Sequence, residues 1–269
     1  MNGTRATPAG AIGSPAGGSA ARVSDVDVIA GLIRRELKIR FGEEWFGFIG
    51  AYLAPLVWIA AVYLAFMFFG RSSPVHTDLI TFIVSGLVPY ASFRYTVNAI
   101  GRSRSLVRNL LVYPSVRRRH AVAATALVEY ANSFLIVAVV MAVNYVFFGN
   151  WEMQNPLGFA FGITLAWALG VAFGYIFNNL AEMNKIWWIV GQSILRPSFF
   201  ISAVFFTGNE VPERLYRYLG WNPLLHAAEV TRTAMLVNYE SRVADVGYII
   251  VSIAVLGAAG LLVRLLMRD

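Results

Sequence analysis

Glu129 and Arg196 are ionisable residues set inside long apolar stretches, where a charge is expensive and turns toward a partner or a watery cavity. Counted from the nearest basic flank, each lies about nine or ten residues in, so at 1.5 Å per residue both reach roughly 15 Å. That match predicts an intramembrane ion pair. The alternative is that Arg196 contacts a substrate, with Pro197 beside it freeing a backbone carbonyl for the guanidinium. Arg94 and Arg71 stand at opposite ends of the apolar region, and their planar forks suit phosphate or carboxylate groups, although Arg94 has the shorter task of snorkelling to a nearby edge. Trp58, Tyr90, Phe93, Tyr130, Trp167 and Tyr175 lie inside the apolar runs. Their rings are stacking platforms for sugars or ordinary packing between helices. His226 and Glu229, at i and i+3, resemble half of a carboxylate metal motif, but no second pair accompanies them. With three histidines and no cysteine, no metal, thiolate or disulfide chemistry is expected. The phosphate-cradling sequence GxxxxGK followed by Ser or Thr does not occur, so no ATP hydrolysis is expected of this chain.

The elements that must position these residues are six apolar runs, at 46–69, 79–100, 121–148, 157–180, 186–206 and 246–263. Each approaches or exceeds the roughly 20 residues a helix needs to cross hydrocarbon. Basic residues fall on one side of the alternating connections: Arg34, Arg35, Lys38 and Arg40, then six arginines within 101–120, then Lys185, Arg264 and Arg268. The short loops 70–78 and 149–156 contribute only Arg71. The positive-inside bias therefore predicts six spans with both termini cytoplasmic. Composition agrees, with 58% hydrophobic and 14% charged residues and a mean hydropathy of +0.60. The net charge of +7 is concentrated at membrane edges, facing anionic lipid headgroups, and calls for no nucleic-acid partner.

Residues 1–23 are rich in Gly, Ala, Ser and Pro and read as a disordered cytoplasmic tail, without the apolar core of a signal peptide. In 24–44, Ser24 and Asp27 form a capping-box-like start. Ile29, Leu32, Ile33 and Leu37 then recur at helical spacing, with Arg34, Arg35 and Lys38 on other faces. This predicts an amphipathic helix along the inner membrane surface, or one packed on a partner subunit, ahead of a single transmembrane domain at 45–269. Within 101–120, Leu106, Val107, Leu110 and Leu111 make a short apolar stripe that Pro114 stops. Such a helix needs a docking partner; otherwise the segment is a basic loop that sets topology. The connection 207–244 contains two helix starts, Pro212 and Asn222 with Pro223. Its Leu215, Tyr218, Leu219, Trp221, Leu224 and Leu225 are too apolar for an exposed loop, so re-entrant or interface-lying helices at an outer mouth are expected.

Four segments, RELKIRFG, NLLVYPSV, EMNKIWWIVGQSILRPSFFIS and WNPLLHAAEVTRTAM, occur in the order found in the permease subunit of polysaccharide ABC exporters, the capsule exporters above all. The chain resembles that family over 28–268. The resemblance implies an all-α polytopic type-two ABC exporter fold in the bacterial inner membrane. It also implies two copies of this chain around a channel and two copies of a separate ATPase that holds ATP and Mg, with no cofactor in this chain. Arg104, Leu106, Val107, Arg108, Leu110, Leu111 and Tyr113 would then form the coupling helix seated in the ATPase. Pro212, Tyr218, Trp221, Asn222, Pro223, His226, Glu229 and Arg232 would belong to outer gate helices. Lipid-linked anionic polysaccharide is the implied cargo, with a periplasmic co-polymerase and an outer-membrane conduit as further partners. O-antigen and teichoic-acid exporters share much of this pattern. A drug or lipid permease is a second class and a membrane enzyme a third, for which the chain offers only Glu182 near Lys185 and an isolated His226.

Overall fold

In hydrocarbon every backbone N–H and C=O must be satisfied within the protein, and long apolar segments meet that demand by coiling into helices. The computed structural model describes residues 24–41, 45–107, 113–149 and 153–267; the expected tail at 1–23 lies outside them. Among the described residues there are nine α-helices: α1 (Asp25–Phe41), α2 (Trp45–Phe68), α3 (Leu79–Val107), α4 (Arg118–Phe148), α5 (Pro156–Met183), α6 (Ile186–Ile201), α7 (Glu213–Leu219), α8 (Pro223–Met235) and α9 (Val246–Leu266). By length and composition α4, α5 and α9 can cross a membrane. The 16 residues of α6 rise about 24 Å, short of a hydrocarbon core of about 30 Å. The expected span at 186–206 is thus a shorter helix followed by irregular backbone.

Side-chain contacts fix the alternation of the helices. Glu182, in the last turn of α5, pairs with Arg118 at the start of α4 and lies 3.4 Å from Arg264 near the end of α9. Asn178 donates to the Ile100 carbonyl late in α3. The end of α3, the start of α4 and the ends of α5 and α9 therefore meet at one level, the arginine end. At the opposite end Ser85 of α3 meets Arg232 of α8, and Tyr248 in the first turn of α9 donates to the Trp221 carbonyl at 2.8 Å. The most extensive helix contact is between α3 and α5. There a Cβ on Gly170 would lie 2.8 Å from the Phe93 carbonyl, and one on Gly174 3.1 Å from that of Val97. Lipid supplies no hydrophobic drive for helices to associate, so such close backbone approach, with its dispersion contacts, carries the packing.

Helix α1 does not stand free. Its Ser24 and Asp27 exchange the predicted capping bonds, at 3.2 and 3.1 Å. Its apolar stripe, Leu32 with Val28, Ile29 and Ile33, packs on Ala121 and Ala124 of α4 within the same chain, which buries Leu32. Leu37 is exposed. The two helices run parallel and in step: Asp25 reaches Arg119 at 2.6 Å, Thr125 donates to Glu36 at 2.9 Å, and Arg40 pairs with Glu129. Burial pushes the Glu36 carboxyl above its ordinary range, against the opposing pull of the Thr125 hydroxyl and Arg40.

This register corrects the expected Glu129–Arg196 pair. Glu129 is buried against Arg40, and Asn132 donates to its other oxygen at 3.1 Å; Arg196 lies exposed on α6. The physical reason is length. With 31 residues, α4 extends about 46 Å against about 30 Å of hydrocarbon. That surplus means a depth counted from one basic flank does not fix which acid meets which base, and α1 lies alongside the first turns of α4 to supply Arg40. In detergent, Arg40→Gln and Glu129→Gln should each lower thermal stability by about 2 kcal/mol, the scale of a charge-assisted bond to a buried group. The double change should recover part of that loss. Arg196→Gln should show no coupling to Glu129.

Candidate functional site

The apolar run that forms α6 continues to Phe206, yet the helix stops at Ile201. Ala203 turns into the left-handed region at φ 57°, a conformation that costs an L-residue roughly 1–2 kcal/mol. A helix end also leaves carbonyls without intrahelical donors. Here they are met from the following hairpin. Asn222 donates to the Ile201 carbonyl at 3.0 Å while its own Oδ1 caps α8 by accepting from the Leu224 amide at 3.1 Å. Arg232 donates to the Ala203 carbonyl at 2.6 Å and to that of Phe206 at 3.1 Å.

Arg232 has no solvent exposure. Beyond those two carbonyls, its Nε donates to Ser85 at 3.1 Å, a terminal nitrogen pairs with Glu229, and the guanidinium lies 4.7 Å from the centre of the Phe82 ring. Glu229, equally buried, accepts from the Tyr239 hydroxyl at 2.6 Å. Burial first, and the facing Glu229 carboxylate second, push that phenol well above its ordinary range, which keeps it a donor. One side chain thus joins α3, α8 and the end of α6. Asn222 and Pro223 start α8, and its Leu224, Leu225, Ala227 and Ala228 are buried where it packs on α5 and α3. The protein itself covers this short helix, which is the condition for a non-spanning segment at membrane depth.

Other predicted residues fall around this core. Pro212 caps α7, Tyr218 stands exposed on it, and Trp221 stands exposed just after it. His226 is buried: its Nε2 donates to the Gly220 carbonyl at 2.8 Å and its ring lies 4.8 Å from that of Tyr248. The His226–Glu229 spacing therefore serves hairpin packing and a buried ion pair. Arg71 sits 3.9 Å from Glu210 and over the Phe66 ring. Arg94 turns inward, donating to the Tyr90 hydroxyl at 3.0 Å and lying 5.3 Å over Trp58, whose ring meets Phe199 of α6. Phe93 packs edge-on to Phe173. Trp167 lies edge-on to Tyr130 and donates to the Ala126 carbonyl at 2.9 Å. Trp167 and Tyr175 line a groove of about 1080 Å³ between α4, α5 and α9. Of the coupling segment, residues 108–112 and the side chains of Arg104, Leu106 and Val107 lie outside the described residues; Tyr113 is exposed.

A family model described as ABC-2 type transporter matches residues 28–236, from α1 to the end of α8. The chain belongs to the ABC-2 type transporter family. Its relatives include the polysialic acid transport protein KpsM of Escherichia coli, 26% identical over 226 residues, covering 82% of this chain and 86% of that protein. The capsule polysaccharide export inner-membrane protein CtrC of Neisseria meningitidis is 25% identical over 244 residues, covering 88% and 89%. The protein of the same description from Haemophilus influenzae, BexB, is 24% identical over 233 residues, covering 84% and 85%.

Sequence reading of this ABC-2 chain placed Glu229 and Arg232 in the hairpin but missed their partners Ser85, Phe206 and Tyr239. The signal present was an acid and a base at i and i+3 in an otherwise apolar helix. Arg232→Met should cost about 3–5 kcal/mol of stability in detergent, because it leaves Glu229 unpaired in a dry site. A further Glu229→Met change should restore part of it. Gly86→Ala should also destabilise, since its methyl would sit 2.6 Å from the Arg232 terminal nitrogen and 2.9 Å from the Ala203 carbonyl. Wild-type melting of Arg232→Met would contradict the role given to this residue.

Proposed function

We propose that this chain is the membrane subunit of an ATP-driven exporter that moves lipid-linked capsular polysaccharide across the bacterial inner membrane, acting as a homodimer with two copies of a separate ABC ATPase. The observation that carries this reading is the similarity to capsule-export and polysialic acid transport proteins over more than four-fifths of both chains. On this reading the arginine end faces the cytoplasm, following the positive-inside bias, and α7 and α8 face the periplasm. ATP and Mg belong to the partner ATPase. The segment 104–113 couples to it. A periplasmic co-polymerase and an outer-membrane conduit complete the path.

The permease pair would meet through α2 and α6, whose Leu53, Val57 and Leu64, and Ile189, Ile194 and Phe200, present exposed apolar faces. An anionic polymer crossing there needs compensating charge along its way, since an unpaired charge in a low-dielectric zone is costly. Arg196, exposed on α6, supplies that charge, while Arg94 is already engaged inside the protomer. Deleting the gene should abolish surface polysaccharide while lipid-linked glycan accumulates inside the cell, and a plasmid copy should restore export. Arg196→Gln should reach wild-type abundance and melting temperature but export several-fold less. Undiminished surface polysaccharide in the deletion strain would overturn the proposal.

A further inference from the structure

The groove between α4, α5 and α9 has one character along its walls and another at its mouth. On α9, Ile253, Gly257 and Leu261 follow one another at four-residue steps, a single helix face, and Arg264 ends that face at the arginine end. Ala126 of α4 and Trp167, Ala168, Val171 and Tyr175 of α5 add to the apolar lining. The asparagines at its base are already engaged: Asn178 donates to the Ile100 carbonyl and Asn179 to that of Gly260 at 3.0 Å. Few polar partners remain to hold water in the cavity.

At the mouth four arginines, Arg117, Arg118, Arg119 and Arg264, face the single lining carboxylate of Glu182. Glu182 fixes Arg118 and Arg264, and Asp25 engages Arg119 at 2.6 Å. Arg117 has no carboxylate within ion-pair distance among the described residues, so the mouth keeps a positive excess. From Ile253 to Arg264 the stripe rises about 16 Å, half of a hydrocarbon core of about 30 Å and hence the depth of one leaflet. Basic pockets between transmembrane helices are sites for anionic headgroups.

We infer that this groove binds an anionic phospholipid of the leaflet at the arginine end, its phosphate at Arg117, Arg118 and Arg264 and an acyl chain along Gly257, Val171 and Ala126. The site serves the bundle and is independent of the cargo proposed above.

The test is native mass spectrometry of the full chain purified from its membrane in mild detergent, with a titration of phosphatidylglycerol against phosphatidylcholine read as a rise in melting temperature. Wild type should retain phosphatidylglycerol or cardiolipin and be stabilised by phosphatidylglycerol alone. A Cβ at Gly257 meets nothing within 4 Å, so Gly257→Leu grows into the groove without a backbone clash and should lose most of the retained lipid. Arg117→Gln should weaken phosphatidylglycerol binding about fivefold, the effect of removing one basic residue beside an anionic headgroup. The inference is overturned if wild type carries no anionic lipid, if Gly257→Leu retains as much as wild type, or if the two lipids stabilise equally.

Discussion

An arginine with no route to water holds the periphery of this bundle to its centre. Arg232 cannot remain charged in a dry interior unless its donors are filled, and α6 cannot stop short of a full span unless its last carbonyls find donors. Each requirement answers the other. The guanidinium bonds to the Ala203 and Phe206 carbonyls, to Ser85 on α3 and to Glu229 one turn away. A cation at the C-terminal end of α6 also complements the helix dipole. The break in α6, the burial of α8 and the close approach at Gly86 are consequences of one side chain's need for acceptors.

A second charged cluster does comparable work at the other end. Arg40 bridges Glu36 of its own helix and Glu129 of α4, so α1 follows any movement of the first turns of α4. Those turns carry Arg118, which meets Glu182 on α5, and α5 packs against α3, α8 and α9. A displacement at the arginine end therefore has a contiguous packed route, through α5, to the hairpin held by Arg232.

Much of this fold was legible in the sequence because the signals were local. The apolar run 46–69 became Trp45–Phe68, the capping pair Ser24 and Asp27 formed as spaced, and Pro212, Gly220, Asn222 and Pro223 bounded α7 and α8. What failed depended on tertiary partners. Glu129 was assigned to Arg196 by matching depths, but an apolar run says where a helix lies and not how far it projects beyond the bilayer. Nothing between Ile201 and Phe206 breaks a helix by composition, and the break is supported because Asn222 and Arg232, some twenty to thirty positions later, donate to the carbonyls it exposes. The groove lined by Gly257 was illegible for the same reason, since its walls come from three helices far apart in the chain.

The central claim is that the Arg232-anchored hairpin and the arginine end lie on opposite faces of the membrane, with the hairpin outside. The chain has no cysteine, so single cysteines report without background. Tyr218→Cys on α7 and Ser115→Cys before α4, both at exposed positions, would be treated in intact cells with a membrane-impermeant maleimide. The account predicts labelling at 218 without permeabilisation and at 115 only after it; labelling of both positions from the same side would contradict it.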